Sequence, residues 1–354
     1  MRVAAVRVLA IAIVALTLLT NSLGLSPGAC LSRADDSQAK PKIQKPQEPK
    51  RSEEEPQNRD DAPIKLGTDL VVLDVTVLDP SNKPVTDLAK DNFQVIEDKV
   101  PQKIEFFGRE QVPVSLVFCV DTSGSMRTKI DTVIKACANL VKESRKGDEV
   151  AVIEFKLQPN LLEEFTENTG DAVDTLQGLI ASGQTAMFDA LYLAADYADK
   201  EAKNRRKAVI LVTDGLDKDS YYKFNEVVDH LREIDVQIYL IGFTSDLDRE
   251  SGVFKKSPRD KAEGVLSKLA DETGGKAFFP RELSEVNAVA RAISGDLRTQ
   301  YGIGYYPTNS KKDGSFRSVK VQINADNRRL VARTRNGYTA PREGDHSSPR
   351  NKMD

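Results

Sequence analysis

Residues 114–125 read VSLVFCVDTSGS, and this stretch decides the fold. Val114 to Val120 is a short apolar run rich in β-branched residues. Strands buried on both faces of a parallel sheet have this composition, because neither face gives a polar side chain access to water. The run stops at Asp121, and Ser123 and Ser125 follow in alternation with Gly124 between them for a tight bend. A buried strand thus delivers one carboxylate and two hydroxyls into a loop. Hard cations such as Mg²⁺ take oxygen ligands of this kind, with few carboxylates and some retained water. Plainer readings exist for each residue: Ser123 and Ser125 as ordinary turn residues, Asp121 as a cap on the following helix.

Downstream the pattern alternates between helix and strand. Ile130, Val133, Ile134, Cys137, Leu140 and Val141 have helical spacing, and EVAVIEF (149–155) reads as a strand. Helices are expected over 186–202, 221–234, 261–272 and 282–297. Strands are expected over 207–213 (KAVILVT), 236–242 (VQIYLIG) and 276–279, with Gly274-Gly275 ending the third of those helices. Repeated αβ alternation indicates an α/β fold with a doubly wound, mainly parallel sheet. In such sheets ligands bind beyond the carboxyl ends of the strands. Asp121 and Asp214 each follow a strand at that end. Thr185, in Ser182-Gly183-Gln184-Thr185, opens a helix from a loop on the same edge.

Asp121-Thr122-Ser123-Gly124-Ser125 matches the D-x-S-x-S signature of the metal-ion-dependent adhesion site (MIDAS), and the chain here resembles the von Willebrand factor A (VWA) domain, a Rossmann-like fold. In that family a Thr from a later loop and an Asp from the end of a later strand complete the site, and Thr185 and Asp214 stand in those places. The resemblance implies that Ser123 and Ser125 ligate a cation directly, and that Thr185 does so directly or through water. Asp121 and Asp214 act directly or through bound waters and orient the hydroxyls. The implied ion is Mg²⁺, with Mn²⁺ or Ca²⁺ as alternatives, and its open position takes an Asp or Glu carboxylate from a protein partner. The plain reading of Asp214-Gly215 is a strand-ending turn. Asp217, Asp219, Asp246 and Asp248 read as solvated loop residues.

β-rich segments flank this core. LVVLDVTVL (70–78), FQVIE (93–97) and KIEFF (103–107) read as strands of a small antiparallel unit, with Pro80 to Pro84 as turn chemistry. QYGIGYY (300–306), FRSVKVQI (316–323) and RLVART (329–334) form a second group. Isolated hairpins are marginal in water. The two groups are therefore expected to combine into one small discontinuous β-sandwich, residues 65–110 and 299–341, with the α/β domain of 111–298 inserted between them. LDP…KPVTDLAKDNFQVIEDKVPQKIEFF, with RTQYGIGYYP and RNGYTAP, resembles the bacterial, acidobacterial-type VWFA-related proteins over about residues 66–341.

Residues 1–29 carry Arg2 and Arg7, then an apolar run from Val8 to Leu19, then small residues. This is the build of a secretory signal peptide; a longer membrane anchor is the alternative. Cys30 after Gly28-Ala29 is similar to a bacterial lipoprotein cleavage site, although Pro27 stands where that motif prefers an apolar residue. The expected location is therefore outside the cytoplasm, secreted or in the cell envelope, with the membrane reached only through such an anchor or lipid. Residues 30–64 are dense in Lys, Glu, Gln, Asp and Pro without an aromatic, and 342–354 are polar. Neither can bury enough apolar surface to offset chain entropy, so a disordered linker and tail are expected.

Composition excludes several function classes. A net charge of −3 with interspersed signs and no Trp gives no footprint for nucleic acid. The two histidines, His230 on a helix surface and His346 in the tail, stand apart from the conspicuous residues. Three cysteines are too few for a disulfide framework, and Cys119 and Cys137 read as small buried hydrophobes. The expected function is an exported, cation-dependent protein–protein interaction or adhesion module rather than an enzyme. The alternatives are an envelope protein whose metal only stabilises the fold, and a Mg²⁺-dependent hydrolase. Against the latter, hydroxyls stand where a second Asp would be needed, and no histidine serves acid–base work.

Overall fold

The computed structural model describes residues 70–109, 112–214, 217–247, 257–325 and 328–343. The expectations for the signal segment 1–29, Cys30, the linker 30–64, Gly215, Asp248, His346 and the tail beyond 343 lie outside the described residues. Strands β1 (Val71–Leu78), β2 (Phe93–Glu97), β3 (Val100–Gln102) and β4 (Ile104–Gly108) come first, followed by β5 (Val114–Asp121). Every residue of β5 is buried. It lies between β6 (Glu149–Phe155) and β8 (Arg206–Thr213), parallel to both, in a six-stranded sheet. The sheet continues through β9 (Gln237–Gly242) to β10 (Lys276–Phe278) on one side and ends at β7 (Pro159–Thr166) on the other. Only β7 is antiparallel to its neighbour.

Two layers of helices cover this sheet. Leu116, Phe118 and Val120 pack with α1 (Ile130–Lys142), α2 (Thr169–Gln177) and α6 (Val286–Arg298). Val117 and Cys119 pack with α3 (Met187–Glu201), α4 (Phe224–Glu233) and α5 (Pro258–Glu272). The strand alternates between two dry faces, which is why its sequence shows no polar alternation. Cys119 and Cys137 sit in different cores, on opposite sides of the sheet, and both are free thiols. Burial pushes both thiols up, that of Cys137 to about 12.

The remaining strands form two small antiparallel sheets, with β11 (Tyr301–Tyr305), β12 (Phe316–Ile323), β13 (Val331–Arg333) and β14 (Gly337–Thr339). Their orders are β13-β1-β11-β4 and β14-β12-β2-β3. Leu73, Val75, Phe93, Val95, Tyr301, Ile303, Val319 and Val321 share one core between them. The strands of 70–107 therefore do not make an antiparallel unit of their own. Among them only β2 and β3 pair, while β1 and β4 both pair with β11 and β2 pairs with β12. The segments 71–108 and 301–339 are interleaved. Other departures are the strands β3, β7 and β14 and the helix α2, which the sequence pattern did not signal, and α4, which starts at Phe224 rather than 221.

Buried polar groups join these sheets to the α/β core. Asp296 on α6 accepts from Thr76 Oγ1 on β1 at 2.8 Å, from Tyr239 Oη on β9 at 2.9 Å, and from Arg333 Nη2 on β13. Arg206, 2% exposed, donates to the Leu297 carbonyl at 2.9 Å and to Asp74 at 3.1 Å. Burial acts to raise the Asp74 carboxyl, but Arg206 and Arg205 outweigh it and hold the group below its usual range. Gly274 and Gly275 allow a close approach. A Cβ on Gly275 would stand 1.9 Å from the Ile238 carbonyl oxygen, and one on Gly274 2.5 Å from the Thr334 carbonyl carbon.

Gly275→Ala should lower the free energy of unfolding by more than about 2 kcal/mol in a urea titration, since backbone must move. Gly264→Ala, on the exposed side of α5 with nothing near its Cβ, should be neutral or stabilising by up to about 1 kcal/mol. Asp74 ionises more readily folded than unfolded, so its contribution is fully present above the unfolded value and is lost as pH falls through the folded one. The wild-type chain should lose stability on acidification below about pH 4. Asp74→Asn should be less stable at neutral pH and flatter across that acid window.

Candidate metal centre

The site begins where β5 ends. Asp121 is fully buried, and its side chain turns back to accept from the Ser123 backbone N–H at 2.8 Å. Its other oxygen accepts from Thr213 Oγ1, at the end of β8, also at 2.8 Å. This is an Asx turn tied across to the next strand rather than a helix cap. Burial pushes the Asp121 carboxyl above its usual range; the Ser123 and Thr213 hydrogen bonds oppose that shift and the charge of Asp214 adds to it.

The hydroxyls follow directly. Ser123 opens a short 3-10 turn, Gly124–Thr128, which brings Ser123 Oγ and Ser125 Oγ to 3.1 Å. Ser123 is buried and Ser125 exposed, so the pair runs from the interior to the surface. An octahedral ion with oxygens at about 2.0–2.1 Å places neighbouring oxygens about 3 Å apart. The serine pair fits that edge.

Backbone hydrogen bonds stitch the other loops to this one. Gly124 N–H donates to the Gly183 carbonyl at 3.0 Å, and Ser182 N–H to the Thr122 carbonyl at 2.7 Å. Gly183 has φ +86°, the left-handed region that glycine enters without a Cβ clash. Thr185, 3% exposed, is thereby fixed beside the serine turn, and its own carbonyl accepts from the N–H groups of Lys218 and Asp219. Asp214 follows Thr213, the residue that bonds Asp121, and is partly buried. The structure thus collects Asp121, Ser123, Ser125, Thr185 and Asp214 in three linked loops at one edge of the sheet.

The donor set is all oxygen, two carboxylates and three hydroxyls, which suits a hard cation and not a soft one. Among the described residues, no group of three His, Cys, Asp or Glu side chains is placed to hold a metal. A cation here would depend on the hydroxyls.

Several residues of the site were not legible as such. Thr213 ends the run KAVILVT, and by sequence a strand-ending Thr is an ordinary β residue. Thr122, fully buried, donates to Glu154 Oε2 at 3.2 Å, and Glu154 also pairs with Lys156. Asp217 is not a plain solvated residue: it accepts from Phe188 N–H at 3.2 Å and from Ser220 Oγ at 2.5 Å, closing the amino end of α3. Asp246 is exposed and pairs with Lys129 at 2.7 Å. His230 is also not a free helix-surface imidazole. Its ring stacks on Tyr192 at 3.9 Å, its Nε2 is buried without a hydrogen bond, and burial pushes its pKa down. It lies outside the linked loops.

Residues 116–216 match the model of the von Willebrand factor type A domain. No curated protein matches the chain in sequence. Solved structures similar to it include a von Willebrand factor type A protein from Catenulispora acidiphila, 14% identical over 79% of this chain and 75% of that one, with a TM-score of 0.43. The PilB minor pilin from Streptococcus sanguinis is 14% identical over 54% of this chain and 63% of its own, with a TM-score of 0.43. BatB from Bacteroides thetaiotaomicron is 22% identical over 51% of this chain and 97% of its own, with a TM-score of 0.39.

Thr213→Val removes the Thr213 hydrogen bond to the buried Asp121 carboxylate without changing the side-chain shape. It should destabilise the metal-free chain by about 1–3 kcal/mol, read from the urea midpoint.

Proposed function

We propose that this protein, with a von Willebrand factor type A domain at its centre, is an exported module that binds a protein partner through a divalent cation. The observation that carries the reading is the pair of serine hydroxyls, 3.1 Å apart, beside a buried carboxylate. Ser123 and Ser125 would hold the ion directly, Thr185 directly or through water, and Asp121 and Asp214 directly or through bound waters. Mg²⁺, Mn²⁺ or Ca²⁺ are the ions this oxygen set accepts.

When bound, the ion supplies a Lewis-acidic position for an Asp or Glu carboxylate of the partner. The two aspartates about balance its charge, and the hydroxyls add none, so an incoming carboxylate is not repelled. Burial of Asp121 and its hydrogen bonds fix the loop in advance, which lowers the ordering cost of binding. Export through residues 1–29 and descent among the bacterial VWFA-related proteins belong to the same proposal.

Titration of Mg²⁺ or Mn²⁺ into the chain by calorimetry should show saturable binding. Asp121→Ala and Thr185→Ala, checked for fold by circular dichroism, should weaken it at least about tenfold. Absence of binding by the parent chain would remove the metal reading.

A further inference from the structure

Helix α3 begins just after Thr185, and its own sequence does not cap it. The residue at its N-cap, Ala186, has no side chain that could accept from the first turn, and alanine is a poor residue there. The N–H groups of that turn need acceptors from elsewhere. Segment 217–220 supplies them. Ser220 Oγ accepts from Phe188 N–H at 3.1 Å and from Asp189 N–H at 3.2 Å, and Asp217 accepts from Phe188 N–H at 3.2 Å.

The contact is reciprocal. In a capping box the acid of the first turn reaches back to the N–H of its own N-cap. Here the Ala186 N–H is taken by the Lys156 carbonyl at 2.7 Å. Asp189, the acid of that turn, reaches across instead. One of its oxygens accepts from Tyr221 N–H at 3.0 Å and the other from Tyr222 N–H at 2.8 Å. The Tyr222 ring then stacks on Tyr192 of α3, with centroids 4.0 Å apart. Between these two sets of bonds, the Lys218 and Asp219 N–H groups donate to the Thr185 carbonyl at 3.3 and 3.2 Å. The backbone of Thr185 is thus gripped by the middle of a segment whose two ends are fastened to α3. Asp214 comes shortly before that segment in the chain.

We infer that Asp189 is a positioning residue of the candidate cation site, acting through Thr185: by holding residues 221 and 222 on α3 it keeps segment 217–222 against the Thr185 carbonyl. This rests on the metal reading above and adds a residue that the reading does not use. Groups that orient a ligand residue set metal affinity although they never touch the ion. An ordinary helix cap is the plainer role, and it would contribute to stability without setting cation affinity.

The test compares variants of the full chain. Asp189→Ala should bind Mg²⁺ about tenfold more weakly than the parent by calorimetry, with its circular dichroism unchanged. Its Lys218 and Asp219 amides should exchange hydrogen at least about tenfold faster without added cation. Asp74→Asn loses an ion pair at the opposite end of β8, where Asp74 meets Arg206. It should keep the parent's Mg²⁺ affinity, which separates positioning from stability. Asp189→Asn keeps one acceptor oxygen and should fall between the parent and Asp189→Ala. It and Ser220→Ala carry the test if Asp189→Ala does not fold. Parent affinity in the Asp189 variants, unchanged exchange at Lys218 and Asp219, or an equal loss of affinity in Asp74→Asn would each overturn the inference and leave the metal reading standing. A parent chain without Mg²⁺ binding would overturn both.

Discussion

A carboxylate held in the interior at the end of a fully buried strand is the constraint on which the site depends. Asp121 is fully buried, so each oxygen takes a protein donor, one from its own turn and one from the end of β8. Those two bonds set the direction of the serine turn and tie it to the neighbouring strand. An ionised group left in this position without them would cost several kcal/mol. Its carboxyl is nevertheless raised, because burial and the nearby Asp214 outweigh the hydrogen bonds.

A second buried cluster does comparable work far along the chain from the first. Asp296 binds β1, β9 and β13 to the last helix, and Arg206 joins that helix to Asp74 of β1. These charges lie between the α/β core and the small sheets, so the two layers cannot separate without exposing unpaired ions. The contacts at Gly274 and Gly275 add a steric requirement at the same junction. The flanking segments therefore act as structural partners of the core rather than as appended strands.

How much of this could be read from residues varied with their burial. β5, β8 and β9 are fully or almost fully buried, and a two-faced core imposes an apolar, β-branched composition that needs no knowledge of neighbours. β7 was not legible because it is an edge strand: Pro159–Thr166 is largely exposed, so its residues follow no alternation. α2 buries only Ala172, Val173 and Leu176, too few for a clear helical stripe. β3 and β14 are three residues each, below the length at which a pattern exists. The pairing of β1 with β11, across more than two hundred positions, leaves no local trace at all. His230 looked like a surface imidazole because α4 is short and amphipathic, and only packing supplies the Tyr192 ring above it.

The sequence by itself determined the α/β class and the place of Asp121, Ser123, Ser125, Thr185 and Asp214 at the ends of their elements. Strand burial and strand direction follow from local composition and from the rules of parallel sheets. Tertiary structure alone decided which donors hold Asp121, how the two serine hydroxyls come to 3.1 Å, and which loops are joined to the serine turn. Hydrogen bonds and ring contacts between residues distant in the chain depend on register and loop path. Those are fixed only when the two cores and the interleaved sheets pack together.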